Sequence, residues 1–288
     1  MSLEGQLTLA LLEGIVSGLI LALMALGLSL VFGVMRIVNV AHGEFYMLGA
    51  VMAWYVSSAT GSFALALVAA PLIVGGVALA ADRFVLRPIN YTPEATIVAT
   101  IGLLYIIQQA VLILYGPEAR AVAAPVAFTV AFPWFGYSGY KLVVGGAAGV
   151  FLLAAWLIVT KTRLGLYMRA TQQDRDMAQA FGVAVERIYA AAFALGAVLA
   201  AAAGVLIVPV QQAYYLMGLD ALLLSFIVVI VGGLGNLTGT IVAALLVGLI
   251  DGVVSVFFSP TLAKIIASLL VALVLIARRG GLYGDQTA

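Results

Sequence analysis

Four polar residues crowd into the nine positions RIVNVAHGE: Arg36, Asn39, His42 and Glu44. His42 is the only histidine among 288 residues, and cysteine is absent. One imidazole beside one carboxylate can pass a proton, accept hydrogen bonds or sit at a helix start. A lone histidine supports no metal site. No nucleophile stands beside a base, so no catalytic residue is assigned and the chain reads as no enzyme. Without cysteine, disulfides and thiol chemistry are excluded. There is no G-x-x-x-x-G-K-[ST] phosphate loop and no glycine–lysine pair. If ATP drives this protein, the nucleotide site lies on another chain. What remains is hydrogen bonding and charge placement inside a very apolar sequence.

The elements that must hold these residues follow from composition. Apolar residues make up 65% and charged residues 9%, against roughly 45–50% apolar in soluble domains. The fold class is all-α, a polytopic helical membrane protein forming a single transmembrane domain over residues 1–288. The net charge of +1 gives no reason to expect nucleic acid. Apolar runs mark about eight or nine membrane segments, near 7–33, 42–58, 62–82, 95–115, 141–160, 187–208, 219–233, 238–258 and 262–278. The first has no basic lead and is too long for a signal peptide, so it is expected as a retained span. The second and seventh are short and interrupted by glycine, as broken or re-entrant helices would be.

Basic residues orient the segments. If they alternate sides, Arg36, Arg83, Arg87, Lys161, Arg163, Arg169, Arg175, Arg187, Arg278 and Arg279 share one side. Arg120, Lys141 and Lys264 take the other, which accounts for all 13. The positive-inside rule makes the first side cytoplasmic, with the C-terminus inside. That side also holds the one long charged stretch, 161–187, KTRLGLYMRATQQDRDMAQAFGVAVER. A short helix is expected there, with Ala170, Met177, Ala178 and Phe181 on one stripe and Asp174 between turns. Gly182 suits the position after its end, where positive φ is cheap. The thin, alanine-rich stripe fits a protein groove better than a lipid surface.

A faint repeat relates SLVFGVMRIVNVAHGEFYMLG, 29–49, to SFIVVIVGGLGNLTGTIVAALLVG, 225–248. Each has an apolar run, a break, an asparagine, and then a small-residue helix. Backbone breaks at membrane depth survive only where protein or a water-lined cavity covers them. Paired broken segments are the usual pointer to a transport path. Asn39 and Asn236 are expected to cap the following helices. Glu44 would meet a positive helix end, and Gly43 would admit a neighbouring backbone. On this reading Asn39, His42, Gly43 and Glu44 line or flank the path, with Asn236, Thr238 and Thr240 as their counterparts. A purely structural cluster of Arg36, His42 and Glu44 would explain the same residues. Gln108 and Gln109 are expected as interhelical hydrogen-bond partners, and Asp251 is the other intramembrane acid.

Asn39-Val40-Ala41-His42-Gly43-Glu44 resembles the N-x-A-H-G-E motif of permeases in the branched-chain amino-acid ABC importers. Arg169-Ala170, Asp174, Ala178 and Gly182 stand at that family's spacing, and so does Gly232-Gly233-Leu234-Gly235-Asn236. The resemblance runs from about residue 10 to 284. Val40 replaces a frequent aromatic, and RRGGLYG lacks the common proline. The resemblance implies a non-catalytic subunit of a bacterial inner-membrane importer. Its partners would be a second, different permease, two cytoplasmic ATPases and a periplasmic binding protein, with no cofactor and no metal. Arg169, Ala170, Asp174, Ala178, Phe181 and Gly182 would then couple to the ATPases. The family's substrates extend to urea, amides and carboxylates. Two other readings stay open at this point: a secondary transporter relaying protons through His42, Glu44 and Asp251, and a passive channel.

Overall fold

The computed structural model describes residues 2–277 and 281–283. Arg278 and Arg279 lie outside the described residues. Within the described residues each of the nine expected segments is built on a helix. The long first helix, α1 (Leu3–Met35), is capped where the Ser2 hydroxyl accepts from the Gly5 N–H, 3.3 Å. Next come α2 (His42–Thr60), α3 (Phe63–Ala81) with a π-helical turn over Asp82–Leu86, and α4 (Pro93–Tyr115). A short antiparallel hairpin, β1 (Thr129–Ala131) and β2 (Gly136–Ser138), precedes α5 (Gly139–Lys161). Two short helices, α6 (Arg163–Gln173) and α7 (Arg175–Ala180), fill the charged stretch. The second half is α8 (Val185–Ile207), α9 (Met217–Gly232), α10 (Leu237–Phe257) and α11 (Pro260–Ala277). Among the described residues, 6 helices are long and apolar enough to cross a membrane unaided. The chain is a polytopic helical membrane protein.

In lipid there is no hydrophobic drive between helices, so close packing needs small residues. The core obeys this. A Cβ added at Gly14 of α1 would meet Leu249 Cα of α10 at 2.8 Å, and one at Gly27 would meet the Gly196 carbonyl of α8 at 2.5 Å. Helix α1 is therefore the central post, gripped by α8 and α10.

Contacts fix the direction of every helix. Helix α1 ends at Arg36, beside α6; this is the Arg36 end of the molecule. Helix α4 runs away from it to Tyr115, whose hydroxyl donates to the Ala213 carbonyl, 3.1 Å. Helix α2 climbs beside α4, from Val40 at Thr100 to Tyr55 at Leu114. Helix α3 returns to the Arg36 end. Helices α8 to α11 repeat this order upside down. Helix α8 leaves the Arg36 end, and α9 runs back to it from the level of Gly43. Helix α10 departs from Gly235, which packs on Gly33, and α11 returns. The fold thus holds an inverted repeat, α1–α4 against α8–α11, of the kind transporters place around a midplane site. Its equivalent breaks are 36–41, after α1, and 208–216, after α8. The sequence pairing of 29–49 with 225–248 does not match this register. The glycine-rich turn at 233–236 lies at the Arg36 end instead, where α9 turns into α10.

Candidate functional site: two half-helix starts and a charged elbow

Arg36 closes α1 in the left-handed region, φ 55°, with its N–H on the Phe32 carbonyl. The chain then turns back along α1. His42, six residues later, donates from Nε2 to the carbonyl of Met24, 3.0 Å. Met24 lies 11 residues before Met35, or about 16 Å inside the helix end at 1.5 Å per residue. So 36–41 is non-helical backbone at membrane depth, and α2 is a half-helix beginning there. The Met24 carbonyl can only accept, which places a hydrogen on Nε2. His42, Asn39 and Glu44 are each fully buried. Glu44 accepts from Gln108 Nε2, 2.9 Å, bearing out the interhelical role of Gln108. Gln109 is exposed.

Two local expectations change. Asn39 does not cap α2. Its Oδ1 accepts from the Ala41 N–H two residues on, 3.1 Å, in an Asx-type turn. The capping position is Ala41, which offers no side-chain acceptor. The reason is register: the helix starts at His42, so Asn39 stands too far back to reach the free N–H groups. Nor does Arg36 join His42 and Glu44. Its guanidinium donates to the Gln172 carbonyl, 3.2 Å, tying the end of α1 to α6.

The half-helix α9 begins at the same depth. Gly218, its second residue, meets Gly43, the second residue of α2, backbone to backbone. A Cβ at Gly43 would stand 2.9 Å from Leu222 Cβ and 3.0 Å from the Gly218 carbonyl carbon. The close approach expected at Gly43 is present, and the approaching backbone belongs to the inverted repeat. The segment before α9, VPVQQAYYL over 208–216, carries the matching break. Pro209 cannot continue α8.

Asn236 does cap: its Oδ1 accepts from the Gly239 N–H, 2.9 Å, and its Nδ2 donates to the Tyr283 carbonyl, 2.9 Å. The Thr240 hydroxyl donates to the Asn236 carbonyl, 2.8 Å, and accepts from the Ser29 hydroxyl of α1, 2.9 Å, and Thr238 is exposed. These three residues sit toward the Arg36 end, since Gly235 packs on Gly33, nine residues or about 13 Å along α1 from Met24. They are not brought together with His42 and Glu44.

A cavity of about 160 Å³ lies on the Tyr115 side of Met24, between α1, α2, α9, α10 and the 208–216 break. Asp251 and Tyr46 line it, and His42 and Glu44 do not. Nearby, Lys264 of α11 pairs with Asp220 in the first turn of α9, 3.0 Å, with side chains 53% and 64% exposed. Segment-by-segment hydropathy passes over this pair, because each charge stands alone in its own apolar run.

The charged stretch forms an elbow. The single expected stripe is split, because Asp174 ends α6 and caps α7, accepting from the N–H groups of Asp176 and Met177 at 2.9 and 3.0 Å. Ala170 therefore belongs to α6 and Ala178 to α7. Ala178 turns inward, 5% exposed, while Met177 and Phe181 project at 53% and 82%. Gly182 has φ +84°. Its N–H reaches the Gln179 carbonyl and that of Val183 reaches Ala178, a Schellman end that bears out the glycine's place. Arg169 donates to the Val159 carbonyl, holding α6 against the end of α5.

Comparison with known proteins places the chain in a family. The family described as "branched-chain amino acid transport system / permease component" matches residues 10–277. The high-affinity branched-chain amino acid transport system permease protein LivH of Escherichia coli (strain K12) is 27% identical, over 94% of each chain. BraD of Pseudomonas aeruginosa, a permease protein of the same description, is 25% identical over 95% of this chain and 94% of its own. The probable LivH of Methanocaldococcus jannaschii is 25% identical over 86% of this chain and 82% of its own. No solved structure matches. A family match over residues 10–277, nearly the whole length of a chain of apolar helices, makes this protein a member of the branched-chain amino acid permease family.

Proposed function

We propose that the chain is the membrane-spanning subunit of an ATP-driven importer for branched-chain or other small aliphatic amino acids. It works with a second permease chain, two ATPases and a substrate-binding protein. The observation that carries this reading is the meeting of two oppositely directed half-helices at Gly43 and Gly218. Half-helices of an inverted repeat give a membrane protein a place where packing can switch without lipid touching free backbone. Asn39, His42 and Glu44 hold the start of α2 there, beside the path. Asn236 and Thr240 anchor the start of α10 at the mouth nearer Arg36, where Thr238 is exposed. The Asp220–Lys264 pair is too exposed and too charged to face hydrocarbon, so the α9–α11 face turns toward the second permease or the path.

The Arg36 end is cytoplasmic, by the bias of basic residues toward it. The elbow formed by α6 and α7 then presents Phe181 and Met177 to an ATPase groove. Arg36 and Gln172 link that elbow to the first break, and Gln172 also donates to the Gly235 carbonyl, 3.4 Å. A push on α6 therefore reaches both 36–41 and the α9–α10 turn. ATP is hydrolysed on the partner chains.

The test is reconstitution of the complete importer in liposomes, with binding protein and radiolabelled L-leucine. ATP-dependent uptake and substrate-stimulated ATP hydrolysis are expected. Leucine accumulation by this chain alone, driven by a proton gradient, would establish a secondary transporter instead.

A further inference from the structure

We infer that the cavity beside Met24 is a transit site within this one subunit for a zwitterionic aliphatic amino acid, with Asp251 receiving the ammonium group. The assignment rests on the reading of the chain as an amino-acid permease.

The cavity combines two kinds of wall. Ile20 and Leu224 stand for its apolar side, suited to an aliphatic side chain. Its polar groups are the Asp251 carboxylate, the Ser17 and Tyr46 hydroxyls and the Gln211 amide. The last three make no side-chain hydrogen bond among the described residues. They are donors in search of an acceptor, which a substrate carboxylate provides. Asp251 forms no ion pair among the described residues. Lys264, the cation of the neighbouring helix, is committed to Asp220, 3.0 Å. An acid at membrane depth is costly unless a cation meets it. A substrate ammonium meets it only during transit. At about 160 Å³ the space is many times what one ordered water needs. Gln211 is exposed, whereas Ser17, Leu224 and Asp251 are half-buried. The site is thus reachable from the Tyr115 end and shallow enough to release what it binds. A neutral amide or a simple carboxylate satisfies only one of the two polar demands.

The sequence has no cysteine, so Leu224→Cys places a single thiol in the cavity wall of the complete reconstituted importer. Its modification by a small methanethiosulfonate is followed with and without millimolar L-leucine. Leucine is expected to slow the modification severalfold. Isocaproate, which has the tail and carboxylate but no ammonium, is expected to leave it unchanged. A thiol at the neighbouring exposed position, Leu223→Cys, is the control that leucine does not protect. Adding Asp251→Asn should abolish protection and lower leucine uptake by about tenfold or more, the scale of losing one partner of a desolvated charge pair. If that variant fails to assemble, the Leu224→Cys protection decides alone. Wild-type leucine uptake without protection at Leu224→Cys, or with Asp251→Asn importing normally, overturns the site. Absence of leucine uptake by the wild-type importer overturns the functional reading itself.

Discussion

Gly43→Ala adds one methyl group where two backbones already touch. Its Cβ would stand 2.9 Å from Leu222 Cβ and 3.0 Å from the Gly218 carbonyl carbon, whereas carbon atoms pack best at about 3.5–4.0 Å. The α2 and α9 starts must part by about 0.5–1 Å. A gap of that size forfeits a quarter to a half of each contact's attraction, itself about 0.1–0.2 kcal/mol. Over roughly twenty atom pairs this comes to about 0.5–2 kcal/mol, reaching into the usual range for overpacking. Gly218→Ala attacks the same contact from the other side, with its Cβ driven into the Gly43 backbone. One separation relieves both clashes, so the double variant should lose little more than either single one. A coupling about as large as one single-variant loss is expected. Thermal unfolding of the detergent-purified chain, read by loss of monodisperse protein, should show each single variant lower by roughly 3–6 °C. Gly43→Leu should fail to assemble. Unchanged stability in both alanine variants, or strictly additive losses in the double, would refute the contact between half-helix starts.

Phe181→Ala removes an aromatic ring 82% exposed at the elbow; burial of such a ring is worth about 2 kcal/mol, so ATPase binding to permease-containing membranes should weaken roughly 30-fold. Wild-type ATPase affinity would remove Phe181 from the interface. Single cysteines in place of Glu118 and Gln173, both exposed, test orientation. An impermeant maleimide applied to intact cells should label the first and spare the second, and the opposite pattern would invert the topology. Gln108→Leu leaves the buried Glu44 carboxyl without its donor and should cost about 1–3 kcal/mol in the same unfolding assay. Adding Glu44→Leu should recover part of that loss, and no recovery would show that the pair is not the source of the cost.

The sequence by itself determined what local chemistry encodes. Apolar run lengths located the apolar helices seen among the described residues, because helix formation in lipid is forced by the need to satisfy backbone groups within a segment. RIVNVAHGE announced a break, because polar residues and glycine cannot sit in hydrocarbon without a reason. Gly182 and Asn236 were legible because cap chemistry lies within a few residues of the cap. Tertiary structure decided the rest. Asn39 looked like a cap until the helix start, fixed by the His42–Met24 bond, fell beyond its reach. Ala178 looked like a docking face until Asp174 split the helix and turned that alanine inward. The true partner of the first break, VPVQQAYYL, has no glycine and no close likeness to RIVNVAHGE. It became a break through Pro209 and through the packing of Gly218 on Gly43, a contact between residues 175 positions apart. Asp220, Lys264 and Asp251 each read as a lone charge in its own segment. Only the fold of α9, α10 and α11 put them near one another, because proximity between helices is set by which small-residue faces pack, and periodicity within one helix does not specify its neighbour.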